Sequence, residues 1–276
     1  METIIAILIF ILGASIGSFL SVTIYRIHKS KKGVLLSRSI CTSCKKKIKW
    51  QHLMPIFSWL FLRGKCAYCG KKISVHYILI EIITGVLFLV AFLKFNFIEI
   101  IPSTVNENIL SYQIHYENLT LFIYYSIIFS FLSAIFFYDA MYQEIPDRFS
   151  IPAIIIVILS NLFIIGSPNP TGMFLGAAII FGFFLLQYLI SKGAWLGGGD
   201  LRMGILMGVL LGFSKGLIAL VLSYFTGFIF AIYLLLQGKA GRKTKIAFGP
   251  FLVIGVIITI FYGTEILDWY FNDFLI

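Results

Sequence analysis

The chain has few charged residues for its length. Only 12% of its 276 residues are Asp, Glu, Lys or Arg, whereas 59% are hydrophobic, and a soluble domain carries about twice that charge. This shortage excludes an ordinary water-soluble fold. Several apolar runs instead reach the roughly 20 residues needed to cross a hydrocarbon core of ~30 Å. The composition therefore predicts an all-α protein that crosses the membrane several times.

The first apolar run lacks the features of a cleavable signal peptide. It follows Met1 and Glu2 with no leading Lys or Arg, and over residues 3–22 it has the full width of a bilayer. A signal peptide has a basic start and a shorter apolar core. We therefore expect a retained first helix.

Lysine and arginine are concentrated in two segments. Thirteen of the 22 lie from Arg26 to Lys72, and four more lie in 239–245. The positive-inside rule places both segments in the cytoplasm, which accounts for the net charge without a nucleic-acid partner. The predicted topology has eight spans and both termini outside, with helices at about 3–25, 76–96, 118–141, 149–166, 173–191, 201–213, 216–237 and 247–268.

Three parts follow from this topology. Residues 1–25 form the first transmembrane helix, residues 26–75 a small cytoplasmic module, and residues 76–276 the remaining bundle. The lysines of the module face the anionic inner leaflet, where each adds about 1 kcal/mol of attraction. Membrane lipids are therefore expected partners.

All four cysteines lie in the module, as two C-x2-C pairs separated by 21 residues. This spacing is typical of a closed four-thiolate zinc site, in which the metal is structural. Two disulfides and a redox-active pair are the alternatives, and the reducing cytoplasm disfavours disulfides. The candidate ligands are Cys41, Cys44, Cys66 and Cys69.

Acidic residues are scarce, and five of the 12 lie on the inner side or within spans. A carboxylate within a span costs about 2.5–3.5 kcal/mol and by default indicates function. Asp139 ends the third predicted helix and Asp200 begins the sixth, so both lie at the same depth. The other three are Glu81, Glu144 and Asp147.

Three glycines, 197–199, precede Asp200 and allow close approach of backbone to backbone or substrate. Two adjacent carboxyl groups share a proton, so that one acts as a base toward water while the other donates a proton. The alternative is ordinary ion pairing, of Asp147 with Arg148 and of Asp200 with Arg202. Spacing alone leaves both interpretations open.

Several ordered motifs resemble the type IV prepilin peptidases, also called leader peptidase/N-methyltransferases. The likeness covers nearly the whole chain. Ser21, Arg202 and the segment 51–55 depart from the family's usual residues. The similar motifs are Gly13-Ala-Ser-Ile-Gly-Ser-Phe-Leu20, the run Cys41 to Cys69, Asp139 with Ile145-Pro-Asp147, Gly197-x-Gly199-Asp200 and Phe248-Gly-Pro-Phe251.

The resemblance implies an aspartic endopeptidase of the bacterial inner membrane. It implies Asp139 and Asp200 as the catalytic pair, supported by Gly197, Gly199 and Asp147, and a structural zinc ion. The implied substrates are prepilin or pseudopilin precursors, cut at the cytoplasmic face. It also implies methylation of the new N-terminus from S-adenosylmethionine, whose binding residues the sequence does not identify.

Two other functions compete with this one. A presenilin-like intramembrane protease would keep the acidic pair, but such proteins lack the four-cysteine insertion. A proton-coupled transporter would use buried acids as relays, yet the inverted repeats of broken helices expected of it are not found in the sequence. The oligomeric state and the particular pilin substrate are not determined by the sequence.

Overall fold

The computed structural model describes residues 2–29, 39–102, 110–238 and 246–274. The basic segment 239–245, Glu107 and residues 30–38 of the module lie outside these ranges.

Within these described ranges, seven helices are long and apolar enough to cross a membrane. The prediction of an all-α multi-pass membrane protein with about eight helices is confirmed, with the cysteines between the first two spanning helices. A short helix, α2 (Phe57–Phe61), lies within the module. The spanning helices are α1 (Glu2–His28), α3 (Val75–Lys94), α4 (Tyr116–Tyr142), α5 (Asp147–Ser160), α6 (Pro170–Ser191), α7 (Gly198–Leu236) and α8 (Gly249–Asp268). The span that contains α5 continues through a π-helical turn, Asn161–Ile165.

The chain divides into two compact units, residues 1–134 and 135–276. In the first unit, α1 packs closely on α3 through glycines of both helices. A Cβ atom on Gly17 would lie 2.8 Å from the Cα atom of Glu81, and one on Gly85 would lie 2.8 Å from the Phe10 ring. The helices therefore touch backbone to backbone, which only glycine permits.

The segment after α3 forms a hairpin that the sequence did not predict. Strand β1 (Ile98–Pro102) pairs antiparallel with β2 (Leu110–Ile114), and Ile98 lies opposite Ile114. The predicted topology left residues 97–117 as a connection between its second and third helices, so the hairpin was missed. Leu110, Tyr112 and Ile114 alternate with Ser111 and Gln113, which is the period-two pattern of a strand, so the signal was present and was not used.

In the second unit, α7 reverses direction near its middle. As a straight helix its 39 residues would extend about 58 Å, far more than a bilayer core. Gly212 has non-helical dihedral angles, φ 73° and ψ −171°. A Cβ atom on Gly216 would lie 4.0 Å from the Cα atom of Gly208, which a continuous helix does not allow. The two halves correspond to the predicted sixth and seventh helices.

Helix α6 runs antiparallel to the first half of α7. A Cβ atom on Gly208 would lie 2.3 Å from the Cα atom of Ala177, and one on Gly204 would lie 2.6 Å from the Phe184 ring. Residue numbers thus rise along one helix as they fall along the other. This register fixes which residues of α6 lie beside the start of α7.

Candidate active site and metal centre

Asp139 lies in the last turn of α4 and is only 4% exposed. Its Oδ2 atom accepts a hydrogen bond of 2.8 Å from the backbone N–H of Gly249. A Cβ atom on Gly249 would lie 2.6 Å from this oxygen. The contact therefore depends on a residue without a side chain.

Gly249 is the first residue of α8, and Pro250 follows it. Proline is suited to the first turn of a helix because no intrahelical partner exists there for its missing N–H. Backbone N–H groups at a helix start are unpaired and carry partial positive charge. Asp139 needs this support because the C-terminal end of its own helix disfavours a negative charge.

Asp200 occupies the third position of α7. Its Oδ2 atom accepts a hydrogen bond of 2.9 Å from the backbone N–H of Gly197, which precedes the helix. An acidic residue three positions after the N-cap commonly accepts this bond. The helix dipole also favours the negative charge at this end.

The two carboxylates are near enough for the charge of Asp200 to act on Asp139. Gly199 contributes to this approach because a Cβ atom there would lie 2.7 Å from Cβ of Ile145, in the loop after α4. Gly197 and Gly198 are less crowded: a Cβ atom on Gly197 would have only ordinary contacts, and one on Gly198 would have none within 4 Å. The structure thus brings the predicted pair together, and its catalytic role stays a prediction.

Asp147 starts α5 and forms an ion pair with Arg202 of α7. Arg202 also donates a hydrogen bond of 3.4 Å to the carbonyl of Ile145. The sequence had suggested Arg148 for Asp147 and Arg202 for Asp200, as alternatives to a catalytic pair. Although Arg202 lies only two residues after Asp200, its side chain binds the loop that follows Asp139 and the start of α5.

Glu81 belongs to the first unit. Its Oε2 atom accepts a hydrogen bond of 2.7 Å from the backbone N–H of Ile56 in the module. Ile56 has a φ angle of 63°, which is uncommon for a β-branched residue. The buried carboxylate therefore has a structural partner in the module.

The four cysteines form one cluster in which all sulfur atoms lie within 4.8 Å of one another. The Sγ atoms of Cys41 and Cys69 are 3.9 Å apart. A tetrahedral zinc site with Zn–S distances of about 2.3 Å places its sulfurs about 3.8 Å apart. The cluster has the donors and spacing for one such metal ion.

The two cysteine pairs form equivalent turns. The N–H of Lys45 donates to the carbonyl of Cys41 at 3.0 Å, and that of Gly70 donates to Cys66 at 2.9 Å. Lys45 and Gly70 have φ angles of 59° and 67°. The underlying sequence, Cys-x-x-Cys-x-Lys-Lys-Ile, occurs twice at a separation of 25 residues. This short repeat was not among the predictions made from the sequence.

The thiols of the cluster differ in acidity. Backbone N–H groups of Cys44 and Ser43 lower the pKa of Cys41 to about 6. The pKa of Cys69 is raised to about 11, because burial and the neighbouring thiols outweigh a hydrogen bond from Lys71. One thiolate is therefore already favoured in the cluster, whereas a metal ion would ionise all four.

Other parts of this region were not predicted from the sequence. The role of Gly249 was not predicted, although its Phe-Gly-Pro-Phe motif had been noted. Gln187 and Tyr224, joined by a hydrogen bond of 2.9 Å between α6 and α7, carried no signal. Such contacts join residues far apart in the sequence, so they become visible only in the folded chain.

The fold and site define a multi-pass membrane protein with paired carboxylates at helix ends and a four-cysteine cluster that could hold a metal ion. The bacterial peptidase A24 N-terminal domain model matches residues 11–95, and the type IV leader peptidase family model matches residues 126–232. The chain belongs to this family of type IV leader peptidases, as the motifs predicted.

Proteins named prepilin leader peptidase/N-methyltransferase are similar over most of their length. The one from Legionella pneumophila is 29% identical, covering 93% of this chain and 91% of its own length. The one from Bacillus subtilis is also 29% identical, covering 95% and 96%. No solved structure matches the chain.

Proposed function

We propose that this protein is an aspartic endopeptidase that removes the leader from prepilin-like precursors and methylates the new N-terminus. The observation that carries the proposal is the pair formed by Asp139 and Asp200. Both carboxylates accept backbone N–H bonds at helix ends and interact electrostatically. The family membership and the names of the relatives support the same activity.

The pair would share one proton, because two neighbouring carboxylates do not both ionise readily. The ionised member takes a proton from water, whose oxygen attacks the scissile carbonyl carbon. The protonated member gives its proton to the carbonyl oxygen. The C–N bond then breaks as the leaving amine takes up the proton first removed from water, and one hydroxyl of the tetrahedral intermediate returns its proton to the other aspartate. Neither aspartate is assigned as the base.

The expected substrate has a basic leader followed by an apolar helix. The chain's apolar helices would hold that helix in the bilayer, and the acids at the ends of α4 and α7 would meet the junction with the leader. By the positive-inside rule, this junction and both acids lie on the cytoplasmic side of the bacterial inner membrane. Pseudopilins with the same arrangement are substrates of equal chemical fit.

Zinc is the proposed occupant of the cysteine cluster, held by Cys41, Cys44, Cys66 and Cys69. Four thiolates close the coordination shell, so the ion would supply folding energy to the module and no open position for chemistry. S-adenosylmethionine is the proposed methyl donor, and we assign no residues to it.

The test is cleavage of a prepilin by purified enzyme in detergent or liposomes, with mass spectrometry reporting both the cut and the N-methyl group. The wild type should release the leader, and Asp139→Asn and Asp200→Asn should not. A precursor without the glycine at the cleavage site serves as the substrate control. Full cleavage by either variant would refute the proposed acid pair.

The metal proposal is tested separately by elemental analysis of the purified protein. About one zinc ion per chain is expected. Cys69→Ser should lower both the zinc content and the yield of folded protein. A metal-free wild type that is folded and active would exclude a structural zinc ion.

A further inference from the structure

Gln187 and Tyr224 form a polar pair between two apolar helices of the second unit. The Tyr224 hydroxyl donates a hydrogen bond of 2.9 Å to Oε1 of Gln187. Gln187 lies near the end of α6, and Tyr224 lies in the second half of α7. Polar side chains within membrane spans are costly and indicate function by default.

The pair lies at the depth of Asp200. Asp200 is twelve residues before the reversal at Gly212, and Tyr224 is twelve residues after it. On α6, Phe184 packs against Gly204, and the antiparallel register therefore places Gln187 beside the first turn of α7. The residue count along α7 and the packing of α6 on α7 thus each place the pair at the depth of Asp200.

The pair adjoins the elements that hold both acids. The Tyr224 hydroxyl lies within range of the charge of Asp200. The Tyr224 ring also lies 5.0 Å from the ring of Phe248. Phe248 immediately precedes Gly249, whose N–H binds Asp139.

The carboxamide of Gln187 has hydrogen-bonding capacity left over. Its oxygen accepts from Tyr224, and no residue in the described ranges accepts a hydrogen bond from its two N–H donors. Tyr224 is 37% exposed, and Gln187 is partly exposed, so a ligand can reach them. An amide N–H without a partner in an apolar medium costs free energy, and a peptide carbonyl would satisfy it.

We propose that Gln187, oriented by Tyr224, donates a hydrogen bond to a backbone carbonyl of the substrate next to the scissile bond. Tyr224 fixes the rotamer, because its hydroxyl holds the amide oxygen and directs the N–H groups away. The ligand class is an extended peptide backbone, recognised without regard to its side chains. Gln187 and Tyr224 are thus positioning residues for the acid pair, and this inference rests on the proposed function.

The test compares steady-state kinetics of the full-length enzyme on a precursor with a basic leader, a glycine at the cut and an apolar helix. Gln187→Met keeps the length of the side chain and removes the donors. Loss of one hydrogen bond should raise KM about five- to tenfold with kcat within about twofold. Tyr224→Phe should raise KM less, by about two- to threefold.

Two further variants sharpen the comparison. The double variant Gln187→Met with Tyr224→Phe should be no worse than Gln187→Met alone, because both remove one shared interaction. Tyr233→Phe is the matched control, since it also removes a hydroxyl from the second half of α7, and its KM should equal that of the wild type.

An unchanged KM in Gln187→Met and Tyr224→Phe, with a lowered thermal midpoint, would overturn the inference. The hydrogen bond would then only stabilise the packing of α6 on α7. A wild type that cuts no precursor would refute the proposed function, and this inference would fall with it. The two failures are distinguishable, because the first requires an active wild type.

Discussion

Asp139 and Asp200 are held in contrasting ways. Asp200 starts its helix, where the dipole favours a negative charge, and it accepts from Gly197, only three residues before it. Asp139 ends its helix, where the dipole opposes a negative charge, and it accepts from Gly249, which lies 110 residues further along the chain. One carboxylate is placed by local structure and the other by tertiary packing.

The difference indicates which acid is more vulnerable to changes elsewhere in the molecule. Asp200 keeps its partner as long as the start of α7 folds. Asp139 depends on the position of α8 and on the absence of a side chain at Gly249. Substitutions can therefore separate the two acids.

The largest expected effect comes from removing either acid. Asp139→Asn and Asp200→Asn should each lower the cleavage rate by at least about a thousandfold, since neither can exchange the shared proton. Asparagine still accepts the N–H of Gly249 or Gly197, so the fold should be retained. Initial rates check the loss, and circular dichroism checks the fold. If one variant kept more than about a tenth of the wild-type cleavage rate, the two aspartates would not contribute equally to catalysis.

A smaller effect is expected from the glycines that donate to the two acids. Gly249→Ala should reduce cleavage about ten- to a hundredfold, because its Cβ atom would lie 2.6 Å from Oδ2 of Asp139. Gly197→Ala should stay within about twofold, since its Cβ atom would lie 3.8 Å from Oδ2 of Asp200 and its φ of −86° suits alanine. Equal losses in kcat would mean that both acids are placed alike.

The next comparison lies within the glycine run before Asp200. Gly199→Ala should destabilise the protein by about 1–3 kcal/mol through overpacking, because its Cβ atom would meet Ile145 at 2.7 Å. Gly198→Ala has open space around it and is the matched control, with no loss expected. Thermal unfolding in detergent measures both. A stable Gly199→Ala variant would show that the loop after α4 can move away from the added methyl group at little cost in free energy.

Local features of this architecture could be predicted from the sequence. The apolar runs gave the spanning helices, and the glycines before Asp200 predicted a close approach that Gly199 makes. The reversal was expected between residues 213 and 216 and lies at Gly212, because boundaries depend on packing against α6. The cysteine spacing predicted the cluster, since each pair closes its own turn.

Long-range contacts were not accessible in this way. Nothing in the sequence near Asp139 points to Gly249. Arg202 was considered as a partner of Asp200, two residues away, only as the alternative to a catalytic pair. The side chain instead reaches across to Asp147, since successive helix positions point in different directions. The partner of a charged residue in a bundle depends on which helices are neighbours.

The smallest effect is expected from the ion pair that joins the start of α7 to the loop after Asp139. Asp147→Asn should cost no more than about 1 kcal/mol of stability, because Asp147 and Arg202 are 58% and 33% exposed and exposed pairs contribute little. Arg202→Lys should be equally mild, since lysine keeps the charge although it lacks the second donor arm.

Arg202→Ala also removes the bond to the Ile145 carbonyl, so its kcat should fall several-fold further than that of Asp147→Asn. Thermal midpoints and kcat measured on the three variants distinguish the contribution of the ion pair from that of the hydrogen bond to the loop. If Arg202→Ala and Asp147→Asn have the same kcat, the bond to the loop has no part in holding Asp139 beside Asp200.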